Sequence, residues 1–450
     1  MKRNGLTKAV VCLVLLSLAI SPLETKCARP SAAQFNVLLI TADDMSAELA
    51  CYGNPLVKSP NLDRLASRGI RFDRAYCAFP LCNPSRTTLL SGYRPETTGV
   101  LSNLTPPRRS IGNVPFLPEL FDAAGYFTGR VGKISHGDFE SSVRWDVVGN
   151  VSEPPPGEDC RARDPKTGLP CTNPKDVPDE EEPDGEIARR AAALIEAHQT
   201  SSPGEPFFIA AGFLRPHIPF VCPSRYFDLY DPKQIVLPDP LRRNSTPNRL
   251  EQRAIAAYYA CISFVDAQIG ILLDTLDRLS LTNKTIIVFV SDHGLQMGEH
   301  GIIGHKRRVF EVCARVPLIV SVPGRLSNVA CPALVELVDL YPTLAALCGL
   351  PVAPDLEGTD FSPLLDDPAR TWKKAAFTQT RRDGENFRSV RTERYRYVEG
   401  PTLKNSQLFD YQTDPREQTN QIRNSAYSEV LSTMRRMLAE GWRGALPPSL

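Results

Sequence analysis

The sequence predicts an α/β protein: a large, mixed but mostly parallel sheet flanked by helices, then a smaller C-terminal subdomain with a short antiparallel sheet and a packed helix. Three observations carry that prediction. Short, continuous apolar runs at Phe35–Thr41, Phe207–Ala211 and Thr285–Val290 have the pattern of strands buried on both faces. The stretch Leu250–Leu279 puts Ile255, Tyr258, Ile262, Val265, Ile269 and Leu272 on one face of a long helix. Past about Asp360 the pattern shortens to Ser389–Thr392 and Tyr395–Val398, read as antiparallel strands.

The elements follow in order. Residues 1–28 read as a secretory signal: Lys2, Arg3 and Lys8 precede an apolar run from Ala9 to Ile20, with a cleavage site expected between 28 and 33. That run is too short for a stable membrane anchor. The larger unit is placed at 34–360 and the smaller subdomain at 361–450. After the first strand, Ser59–Ala66 reads as a capped helix, and Phe116–Ala124 as another ended by Gly125. Phe127–Lys133 reads as a strand. Residues 149–185 read as an irregular surface insertion whose acidic run, Asp179–Glu182, is a solvated face. Glu186–His198 has helical periodicity, with His198 expected at the surface. Val316–Ser321 reads as a strand and Glu336–Cys348 as a helix. Leu408–Tyr411 reads as a strand, and a helix from Ser428 to Trp442 closes the chain.

Composition limits the function classes. The chain has 450 residues and a formal net charge of +1, so no global field points to nucleic acid or to lipid, and an acidic substrate needs local cations. Its 40 prolines are close to twice the usual ~5% share, which implies many ordered loops, where active sites are often built. Export permits disulfides. Cys160 and Cys171 bracket a polar loop and are the best candidate pair; the pairing of the other cysteines is not deducible.

Several predicted strands end in residues that carry chemistry. The first runs into Asp43-Asp44, the strand at 127 into Lys133 and His136, the strand at 207 into His217 between two prolines, and the strand at 285 into Asp292-His293. In open α/β sheets such ends converge on one edge, where ligands bind. Three carboxylates and an imidazole suit a divalent cation, the carboxylates favouring a hard ion. Taken singly, each residue has an ordinary reading: Asp43 or Asp44 as a helix cap, His217 as a packed histidine, Lys133 and His136 as a solvated turn. The segment Leu81-Cys82-Asn83-Pro84-Ser85-Arg86 also has two readings alone. Cys82 is either a buried thiol before a helix with Pro84 in its first turn, or a functional residue. Cys222-Pro223-Ser224-Arg225 imitates the segment without the spacer and is not read as a second site.

Cys82-x-Pro84-Ser85-Arg86 resembles the signature of the type I sulfatases. Further blocks match the same family in the same order: Thr41–Asp44, Ser59–Ala66, Gly132–His136, Arg215–Phe220, Ser291–Gly294 with Gly298–Gly301, and Asp339–Thr343. The chain is thus identified, from about Asn36 to Asn420, as similar to sulfatases of the alkaline-phosphatase-like superfamily, and among them to the iduronate-2-sulfatases and their bacterial relatives. The resemblance implies an alkaline-phosphatase-like fold. It implies that a formylglycine-generating enzyme, reading Cys82, Pro84 and Arg86, converts Cys82 to formylglycine (3-oxoalanine), whose hydrate is the nucleophile. It implies a calcium ion, with magnesium less suited, held by Asp43, Asp44, the modified Cys82, Asp292 and His293. Arg86, Lys133 and Lys306 are then the cations around the sulfate, His217 the acid for the leaving group, and His136 the partner that orients or deprotonates the diol. The implied substrate is a sulfated saccharide, plausibly the 2-O-sulfate of a uronic acid in a glycosaminoglycan or similar polysaccharide. The implied location is the periplasm, the exterior, or a lysosome-like compartment. Two alternatives stay open: a phosphoester or phosphonate monoester hydrolase on the same fold, and an inactive carbohydrate-binding relative.

Overall fold

The structure is a computed structural model that describes residues 34–151, 160, 162–238 and 248–447. The signal segment and its cleavage site lie outside the described residues. From Phe35 onward the chain forms one compact unit.

The strands are, in chain order, β1 (Asn36–Ala42), β2 (Ile70–Tyr76), β3 (Phe127–Gly132), β4 (Val147–Gly149), β5 (Thr172–Lys175), β6 (Phe207–Gly212), β7 (Phe220–Pro223) and β8 (Thr285–Ser291). They continue as β9 (Gln296–Met297), β10 (Ile303–His305), β11 (Arg315–Val316), β12 (Leu318–Ser321), β13 (Val329–Glu336), β14 (Ala376–Arg382), β15 (Glu385–Arg391), β16 (Tyr395–Glu399) and β17 (Gln407–Asp410). Nine of them form the main sheet in the order β11-β2-β12-β8-β1-β6-β3-β4, with β13 also on β2. The run β8-β1-β6-β3-β4 is parallel throughout. β12 is antiparallel to both β8 and β2, which leaves β2 pointing the same way as β8. The C-terminal ends of β1, β2, β3, β6 and β8 therefore share one edge.

Alternate residues of the central strands serve two cores, as a period of two requires. Leu38, Ile40, Ile209, Ala211, Ile287 and Phe289 face the helices Pro60–Arg68, Pro183–Ser201 and Arg249–Arg278. Val37, Leu39, Phe208, Ala210, Ile286 and Val288 face the helices Cys82–Ser91, Leu117–Ala123 and Leu340–Leu347. Full burial of each of these side chains larger than alanine contributes roughly 1.5–3 kcal/mol. The Arg249–Arg278 helix is long and apolar enough to cross a membrane, but it lies mostly buried against the sheet. The expected cap of the Pro60–Arg68 helix differs from its sequence reading. Ser59 Oγ instead accepts from the Ala50 N–H, and buried Asp266 takes the Asn61 and Leu62 N–H groups at 3.1 and 2.7 Å.

Three other readings change. The described part of the 149–185 insertion holds regular structure that its composition does not suggest: β5 pairs in parallel with β7, and Cys160 is bonded to Cys171. Within its acidic run, Asp179 is buried and accepts from Tyr226 Oη at 2.7 Å and Gln268 Nε2 at 2.8 Å. Buried Glu182 pairs with Lys175 at 2.8 Å. His198 is not at the surface: its ring is buried, stacked on Phe127 at 4.5 Å, with Nε2 3.0 Å from the Glu205 carbonyl. The helix expected at Glu336–Cys348 is present: Glu336 ends β13 and caps the short 3-10 turn Leu337–Asp339, which runs into the Leu340–Leu347 helix, and its carboxylate is held by two buried cations.

β14 to β17 form a four-stranded antiparallel meander. The Ser428–Glu440 helix covers it through Met434 and Leu438 on Val390, Tyr397 and Leu408. This sheet reaches the site-bearing edge. Thr378 Oγ1 donates to the Cys77 carbonyl at 2.9 Å and Gln379 N to the Ala78 carbonyl at 2.8 Å, just ahead of Cys82.

Candidate active site

Cys82 opens a helix whose ten residues are all buried and which stops at Gly92, in the left-handed region at φ 73°. Gly suits that position because it has no Cβ to clash there. Around the Cys82 thiol the shared sheet edge brings together the site residues expected from sequence, His136 among the described residues having no hydrogen bond to any of them. His293 Nε2 lies 3.4 Å from Cys82 Sγ, and the Lys306 ammonium 3.2 Å. Ligand atoms of Asp43, Cys82, Asp292 and His293 lie within 4.8 Å of one another, and so do those of Asp44, Cys82 and His217.

The carboxylates are placed by backbone and by cations. Asp44 follows β1 at φ 64°, a conformation Asp tolerates better than most residues. It is pinned there: its N–H donates to Asp292 Oδ1 at 3.1 Å, and its carbonyl accepts from Tyr258 Oη at 2.9 Å. Such strain, held by surrounding contacts, is a common mark of a functional position. Asp292 Oδ1 also takes the His293 N–H at 2.9 Å, and the Asp292 carbonyl takes Ser85 Oγ at 2.5 Å. Lys133 pairs with Asp43, and Lys306 with Asp44 at 2.6 Å.

Arg86 is 2% exposed and does not line the opening. Its Nε donates to Asp292 Oδ2 at 2.8 Å, and Nη1 donates to the carbonyls of Lys133 and Ile134 at 2.7 and 3.2 Å. Only Nη2 is left without a hydrogen bond, 3.5 Å from Asp43 Oδ1. Gly212 makes this possible, since a Cβ there would lie 2.0 Å from the Lys133 carbonyl oxygen. Arg86 thus braces the carboxylate cluster from behind.

The electrostatics agree with a cation site. Burial pushes the Asp43 and Asp44 carboxyls up, but Lys133, Lys306, His217 and Arg86 overcome it, and both stay below the usual range. Asp292 goes the other way, raised by burial and by Asp43 against the pull of Arg86 and His293. Burial, reinforced by Asp43, pushes the Cys82 thiol up to about 12 despite Lys306 and Lys133. An unmodified thiol here is protonated at neutral pH and is no nucleophile.

A metal ion fits these residues. No hydrogen-bond donor reaches Asp43 Oδ1 or Asp44 Oδ2, although both are buried. Unsatisfied buried carboxylate oxygens are costly unless something else completes them. His293 Nδ1 lies 3.1 Å from the Gly294 carbonyl and must donate to it, which leaves the Nε2 lone pair free to ligate. Asp43, Asp44 and Asp292 balance Arg86, Lys133 and Lys306, so a divalent ion turns a neutral cluster into one that attracts anions.

His217 sits 3.9 Å from Asp44 Oδ2 and is part-exposed, at the mouth. Its loop, with cis bonds before Pro216 and Pro219, hangs on buried Asp184, which accepts the Leu214 and Arg215 N–H groups at 2.7 and 2.9 Å. No hydrogen bond joins His136 to Cys82 among the described residues, and its Nδ1 is buried without a partner. It lies near enough to Lys133 and Asp43 to feel them, and burial with Lys133 pushes its imidazole down to about 3, so it is neutral. Cys222, the imitation, is buried in β7 away from this edge.

Sequence reasoning missed the supporting residues. Ser85, Ser291, Tyr258 and Asp184 all hold site backbone. Ser85 and Ser291 stand inside the motifs quoted above; Tyr258 and Asp184 lie on helices 214 and 30 or so residues away from what they hold, and no local pattern announces them.

Comparison with known proteins agrees with this geometry. The sulfatase family model matches residues 35–350, and the model of the N-sulphoglucosamine sulphohydrolase C-terminal region matches 298–443. The chain is 36% identical to iduronate 2-sulfatase of Homo sapiens over 417 residues, covering 78% of this chain and 74% of that protein. It is 35% identical to the Mus musculus enzyme over 386 residues, covering 71% and 69%. Among solved structures, the phosphonate monoester hydrolase of Agrobacterium radiobacter superposes with a TM-score of 0.75 at 23% identity, covering 90% of this chain and 95% of that one. At that identity the likeness speaks for the fold.

Proposed function

The chain belongs to the sulfatase family, and from that premise we propose that it is an exported, calcium-dependent sulfatase that removes the 2-O-sulfate of uronic acid residues from a glycosaminoglycan or similar polysaccharide. The observation that carries the reading is the setting of Cys82: a buried helix start, touched by Lys306 and His293, facing carboxylate oxygens that lack donors. Identity to the iduronate 2-sulfatases supports the substrate class. The apolar run at Ala9–Ile20 supports export. The partners in this reading are the sulfated saccharide and, during maturation, a formylglycine-generating enzyme.

Formylglycine formed from Cys82 would supply, as its hydrate, a nucleophilic hydroxyl and a second hydroxyl for the release of sulfate. A calcium ion would be held by Asp43, Asp44, Asp292, His293 and residue 82, and would supply positive charge for the sulfate oxygens and acidify the nucleophile. The chain's own groups do the rest. Lys306 and Lys133, both kept charged by neighbouring carboxylates against the cost of burial, stabilise the oxygens that gain charge as the S–O bond breaks. His217 at the mouth donates a proton to the departing sugar oxygen. His136, neutral at working pH, is free to accept one.

Two outcomes test this reading. His217→Ala is expected to lower turnover of a saccharide sulfate by roughly 10²–10⁴-fold. The loss should be much smaller for an aryl sulfate, whose phenolate leaves without a proton; equal losses would remove His217 as the acid. Exhaustive chelation should abolish sulfate release, with calcium restoring it better than magnesium, and should lower the thermal midpoint. Saturating metal contributes about 2.7 kcal/mol at 100-fold excess over Kd. Full activity in the chelated protein would remove the metal. Measured against aryl phosphate, the aryl sulfate should be the faster substrate; the reverse would favour the phosphoester alternative.

A further inference from the structure

Lys306 stands in the run His305-Lys306-Arg307-Arg308, and its neighbours do not follow it inward. Arg307 is exposed and Arg308 half-buried. The Arg307 N–H donates to the Pro80 carbonyl at 3.1 Å, two residues ahead of Cys82, and its Nη2 donates to the Arg381 carbonyl at 2.7 Å. This ties the run to the end of β14, which carries Arg381 and Arg382 just before the turn into β15. The Arg308 guanidinium has no hydrogen bond or carboxylate partner among the described residues. Burial and the like charge of Arg382 both work against its protonation, with Asp383 a lesser influence. Arg382 lies over the Phe387 ring at 4.9 Å, and its ion pair is a loose one at 3.5 Å to Asp383, itself 88% exposed.

Arg163 arrives from the disulfide loop on the same run. It donates to the carbonyls of Gly168 at 2.8 Å, Ile303 at 3.4 Å and Gly304, and pairs with no carboxylate among the described residues. Neighbouring Asp164 is spent on its own turn, taking the Lys166 and Thr167 N–H groups at 2.8 Å. With a net charge of only +1 on the whole chain, this is a local concentration of uncompensated guanidinium. The Arg307–Arg381 contact sets the segments that carry Arg308 and Arg382 side by side, and a half-buried cation without a counter-ion costs free energy that a bound anion recovers. The planar fork of arginine matches carboxylate and sulfate alike.

We propose that Arg308 and Arg382 form a second anion subsite beside the Cys82 pocket, with Arg163 and Arg307 adding charge at its edge. It takes a carboxylate or a further sulfate on the same saccharide whose ester sulfate lies at Cys82. The subsite rests on the sulfatase reading and selects polyanionic over neutral sugars.

The test uses three substrates with one reacting 2-O-sulfate: a free uronate, its methyl ester, and the methyl ester with a second sulfate on the adjoining residue. The wild type is expected to show a KM about tenfold lower for whichever second anion the subsite takes, which tells carboxylate from sulfate. Arg308→Gln and Arg382→Gln should each remove most of that preference, acting on KM more than on kcat, and Arg308→Lys should keep part of it. Equal KM for all three substrates in the wild type overturns the subsite, as does an equal rise for all three in the variants. Equilibrium binding of the sulfated uronate to wild type and Arg308→Gln needs no turnover, and equal affinity also overturns it. If no substrate releases sulfate while the wild type still binds more tightly, the proposed activity fails and the subsite stands.

Discussion

Cys82→Ser should lower kcat by roughly 10⁴-fold or more, while circular dichroism and the thermal midpoint stay close to wild type. The two side chains differ by one atom, and position 82 has neighbours for a hydroxyl: Lys306 within 3.2 Å and His293 within 3.4 Å of the present sulfur. The buried helix behind it keeps its contacts, because Leu89 and Leu90 pack on the sheet and Asn83 holds the Ser102 and Thr105 carbonyls at 3.0 and 2.8 Å. What serine lacks is the second oxygen on the same carbon. Lys306 and Lys133 still gather a sulfate, so the variant should bind substrate with a near-native Kd while failing to turn it over. Intact-peptide mass of the Cys82 segment from active protein should show no thiol. An active enzyme with an unmodified Cys82, or Cys82→Ser within tenfold of wild-type kcat, would sink the mechanism.

How much of this was legible beforehand depends on the range over which each signal acts. β1, β6 and β8 announce themselves locally, since strands buried on both faces read as unbroken apolar runs. Their polar endings at Asp43-Asp44 and Asp292-His293 stand out for the same reason. β2, Ile70–Tyr76, was not read as a strand, because Arg71, Asp73 and Arg74 interrupt it. Its pairing with β11, β12 and β13 decides the matter, and those partners lie about 240 or more residues on. His198 and Asp179 failed similarly. Each is polar in an apparently exposed stretch, and each is buried by an aromatic or amide partner from a distant segment: Phe127 and Phe207 for His198, Tyr226 and Gln268 for Asp179. The placing of Arg86 was also out of reach. A sequence shows a cation beside Cys82, but not that its fork is consumed by Asp292 and two carbonyls.

The largest stability effect is expected at a second buried cluster, beyond the far end of the Cys82 helix. Glu336, at the end of β13, receives both terminal nitrogens of Arg94 at 2.8 and 2.7 Å and the Lys373 ammonium at 3.0 Å. Lys373 also meets Asp339 at 2.6 and 2.8 Å, and all four side chains are at most 3% exposed. Asp339 in turn takes the Glu336 and Thr359 N–H groups at 2.8 Å each. Glu336→Gln keeps the shape but leaves two buried cations facing one carboxylate, and is expected to cost about 3–5 kcal/mol in denaturant unfolding. The pH dependence gives an independent check. Burial pushes the Glu336 carboxyl up, yet Arg94 and Lys373 prevail and hold it down at about 2. A carboxyl depressed in the folded state adds stability that is present above its ordinary value, ~4.3, and is lost as pH falls from there through about 2. Asp339, raised by burial, runs in the opposite sense and softens the slope. The wild type should therefore lose stability through that acid window, and Glu336→Gln should lose less of it. The folded variant should still turn over substrate, since Glu336 touches none of the groups around Cys82. A variant as stable as wild type, or one with the same acid limb, would show that this cluster contributes nothing to holding the Cys82 helix against β13.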